Sequence, residues 1–407
     1  MRVPTALLCV HFLSGCVQEQ RVPEHILPPE WEPHQAVWFT YSGAASDTVL
    51  DKVVLAMDPG TLTVCATDND SLAATIMARW DSMGIGRERY RMEVMGDSLF
   101  VPAVRDPGPI FLRTGKGGLA VLDAGWNYYG DLDSTSGMPT YLRAFQDSFP
   151  TMMARRMGLP VVNSTLVIEG GSCEINGRGD LLQVEAVTLQ RNPGWSKDSM
   201  ERELERVLGA RRVIWLKQGP ADDMWYLEPR IAGNLFNQGT GGHVDEFCRF
   251  VNDSTVLLAW PGDEELADSA MAVTRRRMAV NLRILHAAGL HVRKVPVPVT
   301  EFHAHVLDST RRYDASVVLR QYPDLRHGDT IQYIPAASYL NYLVTNGRVF
   351  APAYWRVGMP GEMKEKDREM RALLQQYFPD RRIVPVDPRA INRHGGGVHC
   401  WSQQQPR

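Results

Sequence analysis

Short runs rich in β-branched and aromatic residues recur along the chain and predict buried strands. These runs fall at residues 36–40, 61–66, 166–168, 212–216, 255–260, 339–344 and 383–386. Segments with helical spacing of apolar residues lie between them. Strands and helices therefore alternate along most of the chain, which is typical of the α/β class.

The clearest helical pattern covers residues 196–208, where Ser196 is placed to cap the first turn. The apolar positions that share one face of this helix are Met200, Leu204, Val207 and Leu208. A second helix is predicted at 362–378. Because no linker rich in Pro, Gly or Ser interrupts the alternation, we predict one α/β domain over residues 25–407. Periodicity alone fits either a doubly wound sheet or a closed ring.

The amino terminus has the outline of a secretory signal, with an apolar run at 3–13 and then Leu13-Ser14-Gly15-Cys16. This ending resembles the lipobox of bacterial lipoproteins, in which the cysteine is lipidated. We expect a signal peptide at 1–16, a linker at 17–24, and an exported protein that is periplasmic or anchored through Cys16. His11 and the short apolar run count against export, and without a working leader the protein would be cytoplasmic.

Composition excludes some classes of partner and protein. The chain has 407 residues, of which 44% are hydrophobic and 22% charged, with a formal net charge of −3. This is the composition of a globular protein with a sizeable core, and it gives no electrostatic reason to expect nucleic acid. The arginine run 275–277 is predicted to lie on a helix surface. Membrane contact is expected only through the anchor at Cys16.

The cysteines outside the leader are widely spaced, at Cys65, Cys173, Cys248 and Cys400. None belongs to a CxxC pair, which argues against a structural zinc site. Cys400 follows Gly395-Gly396-Gly397, and a glycine-rich turn beside a thiol is one way to present a nucleophile. We expect Cys400 to be free.

Polar residues cluster beside glycine at loops that flank predicted strands, where scaffolds commonly display reactive groups. These clusters lie at residues 105–109, 169–171, 241–245 and 395–400. Each has a plain interpretation by itself, as a turn, a cap, a surface histidine or a buried thiol. Together they supply a cysteine nucleophile, a histidine for proton transfer and several carboxylates.

Carboxylates beside a thiol suit one kind of substrate better than others. They raise a cysteine pKa and provide no oxyanion donors, so acyl transfer is disfavoured. A planar cation such as a guanidinium is held well by paired carboxylates, and its charge favours the thiolate. The clusters therefore predict a guanidinium site.

At this point the chain resembles the family of agmatine deiminases and bacterial, Porphyromonas-type peptidylarginine deiminases, which are guanidino-group modifying enzymes. The resemblance rests on ordered motifs that cover nearly the whole chain after the leader. They are found at residues 28–38 (PPEWEPHQAVW), 105–109 (RDPGP), 168–172 (IEGGS), 242–245 (GHVD), 337–342 (ASYLNY) and 395–406.

The resemblance implies a five-bladed, pentein-like α/β propeller of ββαβ units with the active site in its central channel. It implies hydrolysis of a guanidinium to a ureido group with release of ammonia, through a covalent thiouronium and without metal or organic cofactor. In that reaction Cys400 attacks the guanidinium carbon and His243 transfers protons. Asp106 and Asp245 grip the guanidinium nitrogens, and Glu169 orients His243.

The same resemblance suggests which residues bind substrate, namely Trp126, Asn127, Asn341 and Gly397. Members of the family often carry a stacking tryptophan where this chain has Ala103, so Trp126, Tyr128 and Tyr129 are candidates to replace its cation-π contact, worth about 0.5 to 2 kcal/mol.

Two signals disagree about the substrate. The segment 123–130 is similar to the agmatine deiminase loop and lacks the arginine pair of the secreted peptidylarginine deiminase. This favours agmatine, converted to N-carbamoylputrescine in polyamine metabolism, whereas export favours peptidyl-arginine. The segment 218–238, with Trp225, Tyr226 and Phe236, is interpreted either as a lid that decides the matter or as a surface loop.

Two other classes remain open from the sequence. A metal site could combine Cys173, His243, His399 and Cys400, or the pair His303 and His305 with Glu301. A lipoprotein that captures a cationic ligand without catalysis is the other alternative.

Overall fold

The computed structural model describes residues 23–44, 46–96, 103–130, 140–224, 228–310 and 318–407, without the side chains of 140–143. The predicted leader, Cys16 and most of the linker lie outside these residues, as do Trp225 and Tyr226. Among the helices in the described ranges, none combines the length and apolar character that crossing a membrane requires.

Small sheets and flanking helices build one mixed α/β domain. The helices are α1 (Asp47–Ala56), α2 (Asp70–Ser82), α3 (Thr140–Met157), α4 (Glu185–Arg191), α5 (Lys197–Leu208), α6 (Ser269–Ala287), α7 (Gly361–Tyr377) and α8 (Arg389–Asn392). The strands are β1 (His25–Ile26), β2 (His34–Tyr41), β3 (Leu62–Thr67), β4 (Tyr90–Val94), β5 (Ile110–Thr114), β6 (Leu119–Gly125), β7 (Val161–Val167), β8 (Glu174–Ile175), β9 (Asp180–Val184), β10 (Arg212–Leu216), β11 (Arg230–Ala232), β12 (Leu235–Asn237), β13 (Cys248–Phe250), β14 (Thr255–Ala259), β15 (His291–Val295), β16 (His303–Val306), β17 (Thr330–Ile334), β18 (Leu343–Val344), β19 (Arg348–Pro352), β20 (Arg382–Val386) and β21 (Gln403–Pro406).

One arrangement of strands recurs in most of these sheets. A short strand pairs antiparallel with a central strand, and the central strand pairs parallel with a later one after a helical crossover. The parallel pairs need such crossovers because a tight turn cannot join parallel strands. The sheet orders that show this arrangement are β1-β5-β6-β7, β8-β9-β10, β13-β14-β15, β18-β19-β20 and β21-β2-β3-β4.

A further sheet, of order β11-β12-β17-β16, comes from segments that precede β13 and follow β15. It has its own small apolar cluster, in which Phe236 is fully buried with Leu307 and Ile331. The segment 218–238, interpreted from the sequence either as a lid or as a surface loop, is therefore built partly into this sheet. Phe236 packs inside the cluster, so it is not a surface aromatic.

Strand β21, near the end of the chain, pairs with β2, near its beginning. The pairing is antiparallel, and the Trp38 indole donates to Gln405 Oε1 at 2.9 Å. Because β21 follows Cys400 by only a few residues, this pairing anchors the thiol-bearing loop to β2.

Most sequence-based predictions of elements are confirmed. Helix α5 begins after Ser196, whose hydroxyl accepts the Ser199 N–H, and its predicted apolar face is buried. The strand predicted at 339–344 is wrong, since only Leu343–Val344 is a strand. The reason is a long-range contact: Arg249 Nη1 donates to the Leu340 and Tyr342 carbonyls at 3.1 Å each, which removes them from a strand ladder.

Candidate active site

Cys400 ends a tight loop whose shape depends on glycine. Gly395 and Gly396 have φ of +92° and +72°, in the left-handed region that favours glycine. A Cβ on Gly396 would lie 2.5 Å from Cys400 Sγ. The backbone thus folds directly over the thiol, and a side chain there would displace it. Cys400 lines a cavity of about 250 Å³.

The thiol lies among acceptors and one amide donor. Asn341 Nδ2 donates to Sγ at 3.0 Å, Sγ donates to Asp245 Oδ2 at 3.3 Å, and Glu246 Oε1 lies 3.7 Å away. Burial, reinforced by Asp245 and Glu246, raises the pKa of Cys400 well above its usual value. Without a bound cation, Cys400 is therefore a protonated thiol at neutral pH.

His243 is fully buried and held from two sides. Its Nε2 lies 2.5 Å from Glu169 Oε2, and Arg191 Nε donates to Glu169 Oε1 at 2.7 Å. Its Nδ1 faces Asp106 Oδ1 at 3.6 Å. Burial by itself lowers the pKa of His243, but Asp106 and Glu169 outweigh it and raise that pKa to about 9. His243 is an imidazolium at neutral pH, ready to act as an acid.

The two predicted substrate-binding aspartates keep acceptor capacity toward the site. Asp106 accepts the Gly171 N–H at 3.0 Å and the Tyr129 hydroxyl at 2.9 Å. Asp245 Oδ2 contacts His399 Nδ1 at 2.7 Å, while Asp245 Oδ1 is buried without a hydrogen-bond partner. Burial favours the neutral acid in both, and raises the pKa of Asp106, but contact with His399 lowers the pKa of Asp245.

His243 Nδ1 is the second buried polar atom at this site without a hydrogen-bond partner. Leaving such an atom unpaired costs about 1 to 3 kcal/mol, so buried polar groups are nearly always satisfied. Two unpaired atoms beside one thiol, the other being Asp245 Oδ1, indicate a position prepared for a polar ligand.

Gly171 shows that three of these groups face one point. A Cβ added there would lie 2.7 Å from His243 Nδ1, 2.9 Å from Asp106 Oδ1 and 3.2 Å from Asp245 Oδ2. Only a residue without a side chain fits between them. This explains the second of the two glycines that follow Glu169 in the sequence.

Aromatic side chains form one wall of the cavity. Trp126, Tyr128 and Tyr129 all line it, and the Tyr129 ring centroid lies 6.0 Å from that of His243. Tyr128 and Tyr129 have φ of +53° and +59°, an unusual conformation for large residues. Such backbone strain costs about 1 to 3 kcal/mol and persists only where neighbouring contacts impose it.

Asn127 supplies part of that constraint. Its Oδ1 accepts the Gly130 N–H and its Nδ2 donates to the Arg191 carbonyl, both at 2.8 Å. Predicted as a substrate-binding residue, Asn127 does not line the cavity but secures the loop that carries Tyr129.

Asn341 and Gly397 lie behind the thiol and support the nucleophile loop. Asn341 Oδ1 accepts the His399 N–H at 2.9 Å and the Cys400 N–H at 3.3 Å. A Cβ on Gly397 would lie 2.7 Å from Asn341 Oδ1. The structure thus brings both residues to the site, in contact with the cysteine loop.

Sequence analysis did not identify four buried or half-buried side chains that lie at the site. Glu246 follows Asp245 directly, and burial together with Asp245 raises its pKa well above the usual value, which favours the neutral acid. Asp223 accepts the His243 N–H at 3.0 Å, and no sequence signal marked it. Arg191, which orients Glu169, and Glu30, which contacts His399, also lie here. Glu30 belongs to the motif at 28–38, so its position could have suggested a role.

In the part of the chain that the structure describes, neither alternative metal set brings three ligand atoms within 4.8 Å of one another. Gln183 Nε2 donates to Cys173 Sγ at 3.1 Å, and Glu301 binds Arg389. His303 stacks on Tyr333, with ring centroids 5.3 Å apart.

Ligand-type atoms of Asp245, Glu246 and Cys400 do lie within 4.8 Å of one another. The Asn341 amide nitrogen, with two N–H donors, already lies within hydrogen-bond distance of all three. This donor satisfies the cluster, which therefore gives no reason to assign a cation.

Comparison with known proteins gives a consistent result. The model of the Porphyromonas-type peptidyl-arginine deiminase family matches residues 26–406. The chain is 30% identical over 399 residues to an agmatine deiminase of Ectopseudomonas mendocina, covering 93% of this chain and 95% of that protein. It is also 30% identical over 407 residues to an agmatine deiminase of Stutzerimonas stutzeri, covering 94% and 95%.

Solved structures show the same fold at lower identity. The agmatine deiminase of Enterococcus faecalis superposes with a TM-score of 0.68 at 23% identity, covering 94% of this chain and 96% of that one. An agmatine deiminase from C. jejuni with substrate bound gives 0.68 at 18% identity, covering 94% and 96%. On the extent of the family match and of the 30% identity, this chain belongs to the Porphyromonas-type peptidyl-arginine deiminase family.

Proposed function

We propose that this protein is a hydrolase that converts agmatine to N-carbamoylputrescine and ammonia. The observation that carries the proposal is the convergence of Cys400, His243, Asp106 and Asp245 on one buried point with unpaired polar atoms. A guanidinium meets the requirements of that point, because it is planar, cationic and rich in N–H donors. The agmatine deiminases among the relatives support the same substrate.

In the first half of the reaction, the guanidinium binds between Asp106 and Asp245. Its charge offsets the carboxylates that raise the pKa of Cys400, so the thiolate forms beside it. Sγ attacks the guanidinium carbon and forms a C–S bond. His243 donates its proton to the departing nitrogen as the C–N bond breaks, and ammonia leaves behind a covalent thiouronium.

In the second half, His243 is neutral and accepts a proton from water at Nδ1, the atom that faces the site. The resulting hydroxide attacks the thiouronium carbon, and the C–S bond breaks to release the thiolate. The proton of the new hydroxyl group passes to water, which leaves the neutral ureido product. Glu169 keeps the ring oriented by its contact at Nε2, and Arg191 fixes Glu169. These residues complete the reaction without a step that calls for a metal or organic cofactor.

The wall of the cavity favours a small substrate. The described lining residues include Trp126, Tyr128 and Trp401 but no lysine or arginine. Aromatic faces attract an ammonium group, whereas an α-carboxylate calls for a cationic partner. Agmatine has an ammonium group and lacks an α-carboxylate. Deimination of peptidyl-arginine is the second candidate, favoured by the name of the family.

We also propose that the five recurrent sheets are the blades of an α/β propeller whose central channel holds the site. The repeated order of an antiparallel pair, a helix and a parallel strand supports this, and the domain would span residues 25–407. The sheet of β11, β12, β16 and β17 would be an addition to the ring.

Export with a lipid anchor at Cys16 remains a separate proposal. Fractionation of cells that express the full chain tests it. The Cys16→Ala variant would leave the membrane fraction if Cys16 is the anchor, and an unchanged distribution would contradict the anchor.

The decisive experiment offers agmatine, free arginine and an arginine-containing peptide to the wild type, Cys400→Ser and Cys65→Ala. Ammonia and ureido product are measured together. We expect the wild type to form both products from agmatine and Cys400→Ser to form neither. Cys65→Ala, which replaces a buried cysteine of β3, is the control and should form both products. Turnover of the peptide alone would replace agmatine by peptidyl-arginine, and no turnover of any compound would favour a binding protein.

A further inference from the structure

A continuous chain of hydrogen-bonding groups leads from the thiol away from the substrate cavity. Cys400 Sγ donates to Asp245 Oδ2 at 3.3 Å, and the same oxygen lies 2.7 Å from His399 Nδ1. The opposite ring nitrogen, His399 Nε2, lies 2.6 Å from Glu30 Oε1. His399 is fully buried between the two carboxylates, so each ring nitrogen has one carboxylate partner.

The chain ends at a second cavity. Glu30 and Arg105 line a space of about 50 Å³ that shares no lining residue with the substrate cavity. A water molecule needs roughly 10 to 15 Å³ on this measure, so the space can hold water. The Glu30 side chain keeps 19% of its surface exposed. A proton that reaches Glu30 therefore has a route to solvent.

The proposed reaction leaves the thiol proton without another acceptor. A bound guanidinium covers Cys400 on the cavity side. His243 already holds a proton at neutral pH and must keep it for the departing ammonia. Asp245 Oδ2 is the carboxylate oxygen nearest to Sγ, but Asp245 must stay ionised to hold the guanidinium. Asp245 can serve only if it passes the proton on.

We propose that Asp245, His399 and Glu30 form a proton relay that takes the thiol proton of Cys400 as the guanidinium binds. The S–H bond breaks as a proton joins Asp245 Oδ2. His399 carries its ring proton at Nε2, so Nδ1 is free to accept the proton from Asp245. As Nδ1 takes that proton, the Nε2 proton moves to Glu30 Oε1 and on to water in the second cavity. The reverse transfers return a proton to Sγ when the product leaves, and they restore the starting tautomer. The electron pair stays on Sγ as the thiolate. The inference rests on the proposed function, since it concerns the nucleophile of that reaction.

The charges around Glu30 favour release of the proton. Arg105 Nη1 donates to Glu30 at 3.1 Å, and Arg249 Nη2 donates to its other oxygen. Burial favours the neutral acid, but His399 and both arginines outweigh it and hold the pKa of Glu30 well below its usual value. Arg105 Nε also donates to the His399 carbonyl at 3.2 Å. These contacts give the arginine of the motif at 105–109 a positioning role.

The test measures thiol reactivity as well as turnover. Chloroacetamidine, an alkylating reagent with an amidinium group, is offered at saturation to the wild type, His399→Gln, Glu30→Gln and the control His303→Gln. A glutamine amide can hydrogen-bond but cannot pass a proton. We expect the maximal alkylation rate and kcat of His399→Gln to fall by about 10 to 100-fold, within the range of general acid-base effects.

The relay further predicts how this loss behaves. The half-saturating reagent concentration and KM should change little, because binding uses Asp106 and Asp245 and not His399. Raising the pH should restore the alkylation rate, since solvent can then take the proton. Glu30→Gln should behave in the same way, and His303→Gln should match the wild type.

A wild-type alkylation rate in both relay variants would overturn the relay. So would a loss that higher pH does not restore, because that result indicates a merely structural role. The wild type could turn over no guanidine while the relay variants still show a slower alkylation that higher pH restores. In that case the proposed function fails and the relay stands.

Discussion

The hydroxyl of Tyr129 donates to Asp106 Oδ2 at 2.9 Å. This bond comes from a residue with φ of +59°, on a loop that Asn127 secures. The contact links the aromatic wall of the cavity to one of the carboxylates that face the thiol. Tyr129 therefore positions Asp106, and its ring lies beside that of His243. Ala103, which lines the same cavity, provides no aromatic group.

Replacement of Tyr129 by phenylalanine should weaken catalysis without unfolding the protein. A hydrogen bond to a charged group contributes about 1.5 to 3 kcal/mol, so kcat/KM for agmatine should fall by roughly 10 to 100-fold. Steady-state kinetics measures this. Tyr333→Phe, in the sheet that carries His303, is the matched control and should retain wild-type kinetics. A wild-type kcat/KM in Tyr129→Phe would contradict the positioning role.

A methyl group at Gly171 should occupy the point on which the site converges. Gly171→Ala places a Cβ within 3.2 Å of His243, Asp106 and Asp245, which must then move apart. Activity should fall by at least about 100-fold, because small displacements of reacting groups have effects of that size. Gly361→Ala, whose Cβ would meet nothing within 4 Å, is the control. Equal activity in both variants would show that the three groups do not act together.

The charge on His243 predicts a pH dependence of stability. Its pKa is about 9 in the folded protein and near 6.5 in the unfolded chain, so the folded state holds the proton more tightly. This stabilisation is complete below the unfolded value and disappears as the pH rises through about 9. The free-energy difference between the wild type and His243→Asn should fall by about 1 to 3 kcal/mol across that window. Chemical denaturation at several pH values measures it, and a difference that stays constant would contradict the charged imidazolium.

Glu169→Gln should move the alkaline limb of the kcat profile to lower pH. The contact of Glu169 with His243 is one cause of the raised histidine pKa, and a neutral amide removes the charge but can still accept a hydrogen bond. The pH profile of kcat is the measurement. Glu185→Gln, which alters only a carboxylate bound to Lys197 and Lys217, should leave the limb in place. An unmoved limb in Glu169→Gln would assign the acid to another group.

The sequence by itself determined features that depend on local chemistry. The Ser196 cap and the apolar face of α5 follow from helix geometry, and the glycines before Cys400 follow from the backbone that the loop requires. The motifs that carry Asp106, Glu169, His243 and Asp245 could be identified because each contains its own reactive group. The structure brings these four residues together with Cys400.

Only the tertiary structure decided what depends on partners far apart in the chain. Arg249 takes carbonyls that would otherwise complete a strand at 339–344, and Asn127 supports a loop instead of lining the cavity. His399 and Glu30 are 369 residues apart, yet their side chains lie 2.6 Å from each other. Periodicity and propensity describe neighbours along the chain, whereas these roles arise from charges and hydrogen bonds that meet only when the sheets pack.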